Sequence, residues 1–218
     1  MASEANLTRK EVEAKLAIVG DYVKMDYLQA CLKKPLDFDT KKFVLVKLAE
    51  IYDSKKMFLE AGKMMRNAAE INTTYEGKMQ DFMKSFEMLV KGGFFDEAEV
   101  SFTKALTCAT ELQKKRIKAR KKEMYLAQAQ EFLKKDKRKH AVETFERILE
   151  MPDLLPNERQ EVQKNLLDLY EKLGKIREYY TLKKGANKPL QQTKTQEQNL
   201  KESKESSENL FRDLGIEL

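Results

Sequence analysis

Residues 90–106 read VKGGFFDEAEVSFTKAL. Two adjacent glycines, in a chain that holds only eight, precede Ala98, Phe102 and Ala105, which are spaced to share one helix face. Glycine is the residue that most readily closes a helix in a left-handed conformation. The stretch therefore predicts a sharp corner between two packed helices. The same spacing returns at Ala61, Met65 and Ala68 and at Ala141, Phe145 and Ile148. Upstream of these, Ala49 precedes Tyr52, Ala129 precedes Phe132 and Leu167 precedes Tyr170, each by three residues. Twelve positions separate Ala49 from Ala61, Ala129 from Ala141 and Leu167 from Tyr179, whereas Ser85 to Ala98 is thirteen. The doubled glycine is accordingly expected to absorb one inserted residue at its corner.

Working outward, the composition favours helix. Prolines number four, charged residues make up 36% and apolar residues 41% of 218, enough for a core in an all-α chain. Thr8 with Glu11, Thr73 with Glu76 and Thr110 with Gln113 have capping-box spacing, and Asp21, Asp39 and Asp53 are further cap candidates. Gly20, Gly92, Gly174 and Gly185 mark stops. Together they predict ten helices, over 9–19, 22–33, 40–52, 55–70, 74–91, 94–107, 111–134, 138–150, 157–173 and 175–184. Residues 1–184 are expected to form the helical-repeat domain. Residues 185–206, rich in Gln, Lys, Thr, Glu and Ser, form a linker expected to be disordered. Residues 207–218 carry Leu210, Phe211, Leu214 and Ile216 and read as a short amphipathic helix or ligand motif.

The Leu48-Ala49-x-x-Tyr52 helix and the Ala98-x-x-x-Phe102-x-x-Ala105-Leu106 helix resemble the tetratricopeptide repeat. The likeness covers about residues 40–184, in degenerate form, with units spaced 37 to 43 residues apart. It implies a right-handed α-solenoid of about five hairpins. Such repeats bind peptides on the face made by the first helix of each pair. By spacing, that groove falls on Phe43, Val46 and Glu50; on Met79, Phe82 and Phe86; on Glu123, Leu126 and Gln130; and on Glu161, Lys164 and Asp168. The implied activity is a protein-interaction scaffold or adaptor for a protein or peptide partner.

Little points to chemistry. His140 is the single histidine, Cys31 and Cys108 stand apart, and no nucleotide loop, zinc helix or Cys-His signature occurs. No catalytic, metal or cofactor residue is assigned, and the expectation is a non-enzyme. The N-terminus lacks a secretory pattern, and no apolar run is long enough to span a bilayer, so the expectation is a cytoplasmic protein without membrane insertion. The net charge of +6 is uneven, because residues 111–139 hold twelve Lys or Arg against four acids. The alternative function is therefore RNA binding through segments 114–122 and 134–139, with Lys114, Lys115, Lys118, Lys121 and Lys122 as phosphate contacts. GGFFDEAEVSF also resembles the pentatricopeptide RNA-binding repeat. A further expectation is that Leu210, Phe211, Leu214 and Ile216 dock as a helix on the inner face around Phe43, Met79, Phe82 and Phe86, where a partner competes for the same surface.

Overall fold

Among the described residues, four corners close on the same backbone bond. The N–H groups of Met57, Phe94, Lys137 and Lys175 donate to the carbonyls of Tyr52, Leu89, Phe132 and Tyr170, at 2.9, 2.9, 2.8 and 2.8 Å. The residue just before each donor is left-handed: Lys56, Gly93, Asp136 and Gly174, with φ of 61°, 78°, 52° and 67°. This is the geometry that satisfies the last carbonyls of a helix while reversing the chain. All four corners thus have one length, and no residue is inserted at the double glycine. Phe86, not Ser85, lies three residues before Leu89 as Ala49 lies before Tyr52. The count from Phe86 to Ala98 is then the usual twelve.

The computed structural model describes residues 7–186. Its helices are α1 (Arg9–Ala17), α2 (Asp21–Leu32), α3 (Phe38–Ser54), α4 (Phe58–Ile71), α5 (Tyr75–Gly92), α6 (Phe95–Thr107), α7 (Glu111–Lys134), α8 (Arg138–Leu149), α9 (Pro156–Lys172) and α10 (Ile176–Ala186). Among the described residues the fold is all-helical, with no strand. No described helix is long and apolar enough to cross a membrane. The linker from residue 187 on, the terminal segment with Leu210, Phe211, Leu214 and Ile216, and residues 1–6 lie outside the described residues.

Several ends differ from the sequence expectation. Thr74, not Thr73, caps α5 by accepting from the Gly77 N–H. Asp37, not Asp39, caps α3, accepting from the Thr40 N–H at 2.9 Å. Asp21 is the first residue of α2 behind Gly20, and Asp53 belongs to the last turn of α3. Gly185 lies inside α10. The expected boxes at Thr8 and Thr110 are present. Gly93 supplies the left-handed corner, and Gly92 serves close packing, since a Cβ there would stand 2.7 Å from the Cβ of Phe58 on α4.

The chain divides into two units between Leu169 and Tyr170. In the first, side-chain contacts sort the helices by their place in each pair. First helices meet first helices: Lys42 of α3 pairs with the nearly buried Asp81 of α5 at 3.1 Å, Phe86 of α5 meets Tyr125 of α7 at 5.8 Å, and Lys122 of α7 pairs with Glu158 of α9 at 2.8 Å. Second helices meet second helices: Arg66 of α4 reaches Glu97 of α6 at 2.6 Å, and Arg147 of α8 reaches Asp96 of α6 at 2.8 Å. Ala49, Ala61, Ala98, Ala129 and Ala141 are fully buried, letting the backbones of a pair approach. Val12, Leu28, Cys31, Val44, Leu48 and Tyr52 gather α1 and α2 onto this core. In the second unit, the Lys175 ammonium lies 5.6 Å above the Tyr170 ring, and Tyr179 meets Tyr180 edge-on.

Candidate functional site

The outward face of the first helices carries two clefts that meet at Ala127. Between α7 and α9 a cleft of about 280 Å³ is lined by the apolar Leu126, Ala127, Phe145 and Val162 and the polar Gln130, Glu158, Glu161 and Asn165, with Ala127 exposed at its edge. Between α5 and α7 a second, of about 410 Å³, has Val90, Met124 and Ala127 on its floor, with Glu87, Glu123 and Glu131 facing Lys91 and Arg120. The α7 helix places these groups by its period. Positions 120, 123, 124, 127, 128 and 131 face α5 while 126, 127 and 130 face α9. Of the residues assigned by spacing, Leu126, Gln130 and Glu161 line the α7–α9 cleft and Glu123 lines the α5–α7 one.

On α5 the expected residues are elsewhere. Met79, Phe82 and Phe86 are 8%, 2% and 0% exposed, so they form core and not groove. Phe86 meets the rings of Phe102 and Tyr125 at 5.4 and 5.8 Å. The cause is the register: reading Ser85 as the partner of Ala49 shifts every assigned α5 position by one residue, or about 100° around the helix. The positions matching those on α7 are Gln80, Met83 and Glu87, which are exposed, half-buried and half-buried. On α3, Phe43 and Val46 are half-buried. The Arg9 guanidinium covers the Phe43 ring at 4.7 Å, and the ring packs against the N-terminal core. The surface expected to receive the C-terminal segment is therefore largely interior.

The basic segment at the start of α7 divides in two. The Lys121 ammonium donates to Glu99 at 2.6 Å and lies 4.5 Å above the Phe102 ring. Lys122 donates to Glu158 at 2.8 Å. Both are mostly covered and already paired within the fold. Lys114 pairs along the helix with Glu111 at 2.7 Å. Lys115 and Lys118 are exposed.

Two acids that sequence reading passed over organise this region. Glu99 of α6 accepts from both Lys121 and the Tyr125 hydroxyl, the latter at 2.7 Å. Burial, then the bond to Glu99, pushes the Tyr125 phenol far above its ordinary range. Glu158 accepts from Lys122 and from the Leu155 N–H at 2.9 Å, and these bonds hold its carboxyl below the ordinary value. The second contact was legible, because Leu155-Pro156-Asn157-Glu158 has proline at the first helical position and a carboxylate three residues after the cap. His140 is exposed in the first turn of α8, with its ring 5.3 Å from that of Phe132. Among the described residues no group of three or more His, Cys, Asp or Glu is placed to hold a metal ion.

No family model matches the chain, and no curated relative does. A solved structure, that of BtubC (BKLC) from P. vanneervenii, is similar over 79% of this chain and 74% of its own, at 16% identity and a TM-score of 0.35.

Proposed function

We propose that residues 7–169 are a tetratricopeptide-like stack of helical hairpins, a solenoid without chemistry of its own, that serves as a protein-interaction scaffold. Its partner contributes a peptide or helix to the face made by α5, α7 and α9. The observation that carries this reading is the pair of clefts meeting at Ala127, both on first helices, each lined by apolar residues (Leu126, Phe145 and Val162 in one, Val90 and Met124 in the other) among polar ones. Apolar floors with a few polar groups are what peptide sites use for affinity and orientation.

RNA binding is the weaker reading, since two of its five proposed lysines, Lys121 and Lys122, are engaged within the fold. The deciding experiment compares partner capture from the native extract by the wild type, by Ala127→Trp, which puts a bulky ring at the edge the two clefts share, and by Val100→Glu on the exposed surface of α6. Loss with Ala127→Trp alone is expected. Equal capture by all three refutes the groove.

A further inference from the structure

Each of α1 to α9 buries at least one side chain, but α10 buries none among its described residues. Its Tyr179 and Leu182 are half-buried, whereas Ile176 and Tyr180 are 59% and 57% exposed. Four residues apart, these two form one stripe, and Tyr179 meets Tyr180 edge-on beside it. Arg177, Lys183 and Lys184, all exposed, flank the stripe, and none of them is ion-paired among the described residues. Glu178, the one acid of the helix, falls about 200° around from Ile176. A helix of 11 residues is marginal in water unless a neighbour covers its apolar face. The exposed stripe is where α10 needs that cover.

We infer that residues 207–218 of the same chain cover the Ile176 and Tyr180 stripe of α10. Read with a period of 3.6, Leu210, Leu214 and Leu218 share one face with Phe211 beside them, an apolar ridge for that stripe. The charges are opposite: the segment carries Glu208, Asp213 and Glu217 against Arg212, and α10 carries Arg177, Lys183 and Lys184 against Glu178. Opposite charge steers the two together, whereas the stripe of a second α10 would bring like cations face to face. The 20 residues 187–206 separate the two, and a chain of that length spans about 25 Å on average. That exceeds the length of α10, about 16 Å, so the segment can return along the helix it follows. Tethering holds it at an effective concentration of about 1 mM, which populates a contact too weak to form between separate molecules. Met79, Phe82 and Phe86 of α5, by contrast, are buried and leave no surface to dock on. The inference is independent of the clefts on α5, α7 and α9.

The test is amide hydrogen exchange on the full chain, read by mass spectrometry of its peptides. It compares the wild type with Leu210→Glu plus Leu214→Glu and with Asp213→Lys plus Glu217→Lys. All four positions lie outside helices α1 to α10, so a loss of protection in α10 reports lost contact and not damage to the helix. The apolar pair is expected to speed exchange across residues 176–186 at least about fivefold, and the charge pair about threefold, with α3 to α8 unchanged. Reciprocally, Ile176→Ser with Tyr180→Ser should speed exchange within residues 207–218, and both sites are exposed. Unchanged exchange of α10 in either terminal variant overturns the inference. Protection lost from α3 to α8 instead of α10 places the segment elsewhere and overturns it too. Protection of α10 that disappears on about a hundredfold dilution of the wild type identifies the segment of a second copy as the occupant, which refutes docking within one chain.

Discussion

Phe86→Ala tests the register of α5, on which the groove depends. Were Phe86 on an open face, truncating it would change stability by about 0.5 kcal/mol or less. In the structure it is fully buried where α5, α6 and α7 meet, with Phe102 and Tyr125 at 5.4 and 5.8 Å. Truncating a buried Phe costs about 3 to 5 kcal/mol through lost transfer energy and the cavity left behind. The two aromatic contacts argue for the upper half of that range, about 4 kcal/mol. With a urea m-value of about 2 kcal/mol/M, the midpoint falls by about 2 M. The assay is urea unfolding followed by helical circular dichroism, with Met83→Ala alongside as a half-buried residue on the same helix. Because a loss of that size approaches the whole stability of many domains, Phe86→Leu provides a milder reading, with an expected loss of about 1 to 2 kcal/mol. If Phe86→Leu and Phe86→Ala both stay within about 0.5 kcal/mol of wild type, the assigned register is wrong.

The α7 lysines should separate by environment: Lys115→Glu with Lys118→Glu leaves stability within about 0.5 kcal/mol, while Lys121→Glu, which sets a carboxylate beside Glu99, costs about 2 kcal/mol or more. Equal losses in chemical denaturation would contradict that division. Gly93→Ala should destabilise by about 1 to 2 kcal/mol, since it puts a side chain at positive φ and a Cβ 2.8 Å from the His140 ring. Lys56→Gly, at φ 61°, should be neutral or stabilising by up to about 1 kcal/mol, and thermal melts of the two decide it. Glu158 has a lowered pKa in the fold, chiefly through Lys122 and then the Leu155 N–H. Its contribution is thus present above the unfolded carboxylate value and is lost as pH falls through the lower folded one. Glu158→Gln should lose less stability than wild type between neutral pH and about pH 3, and parallel pH curves would show that the bonds contribute nothing.

Most of the helix order was legible because it depends on local signals. Thr8 and Thr110 cap as their spacing requires, and the bounds of α7 were readable from Thr110 at one end and the Lys-rich turn at the other. The failures are those of neighbours with similar chemistry. Thr73 and Thr74 carry the same cap chemistry, as do Asp37 and Asp39, and only the three-dimensional course of the preceding loop selects between them. Lys121 and Lys122 read as part of one basic run, yet the helix turns them onto Glu99 and Glu158, which lie 22 and 36 residues away in sequence. Distant acids cannot be assigned to a lysine from spacing alone.

The α5 error has a physical origin. Counting from Ser85 puts a small residue where Ala49 and Ala129 stand in their pairs, and that count makes the expected corner one residue longer. The structure places Phe86 in that role and uses Ser85 differently: its hydroxyl donates to the Gly62 carbonyl at 2.7 Å and lies 2.9 Å from the Ser101 hydroxyl, which receives Arg66. Where α5 packs on α4, the preceding helix, the small residue is Gly62, where a Cβ would stand 2.4 Å from the Leu89 side chain. Leu89 is thus accommodated by the missing side chain on α4, while Phe86 packs on Phe102 and Tyr125. Corner geometry sets register more reliably than residue size, because the backbone bond from Phe94 to Leu89 permits one alignment while packing permits several. The same logic makes Gln80, Met83 and Glu87 the α5 positions at which substitution should alter partner binding without altering the fold.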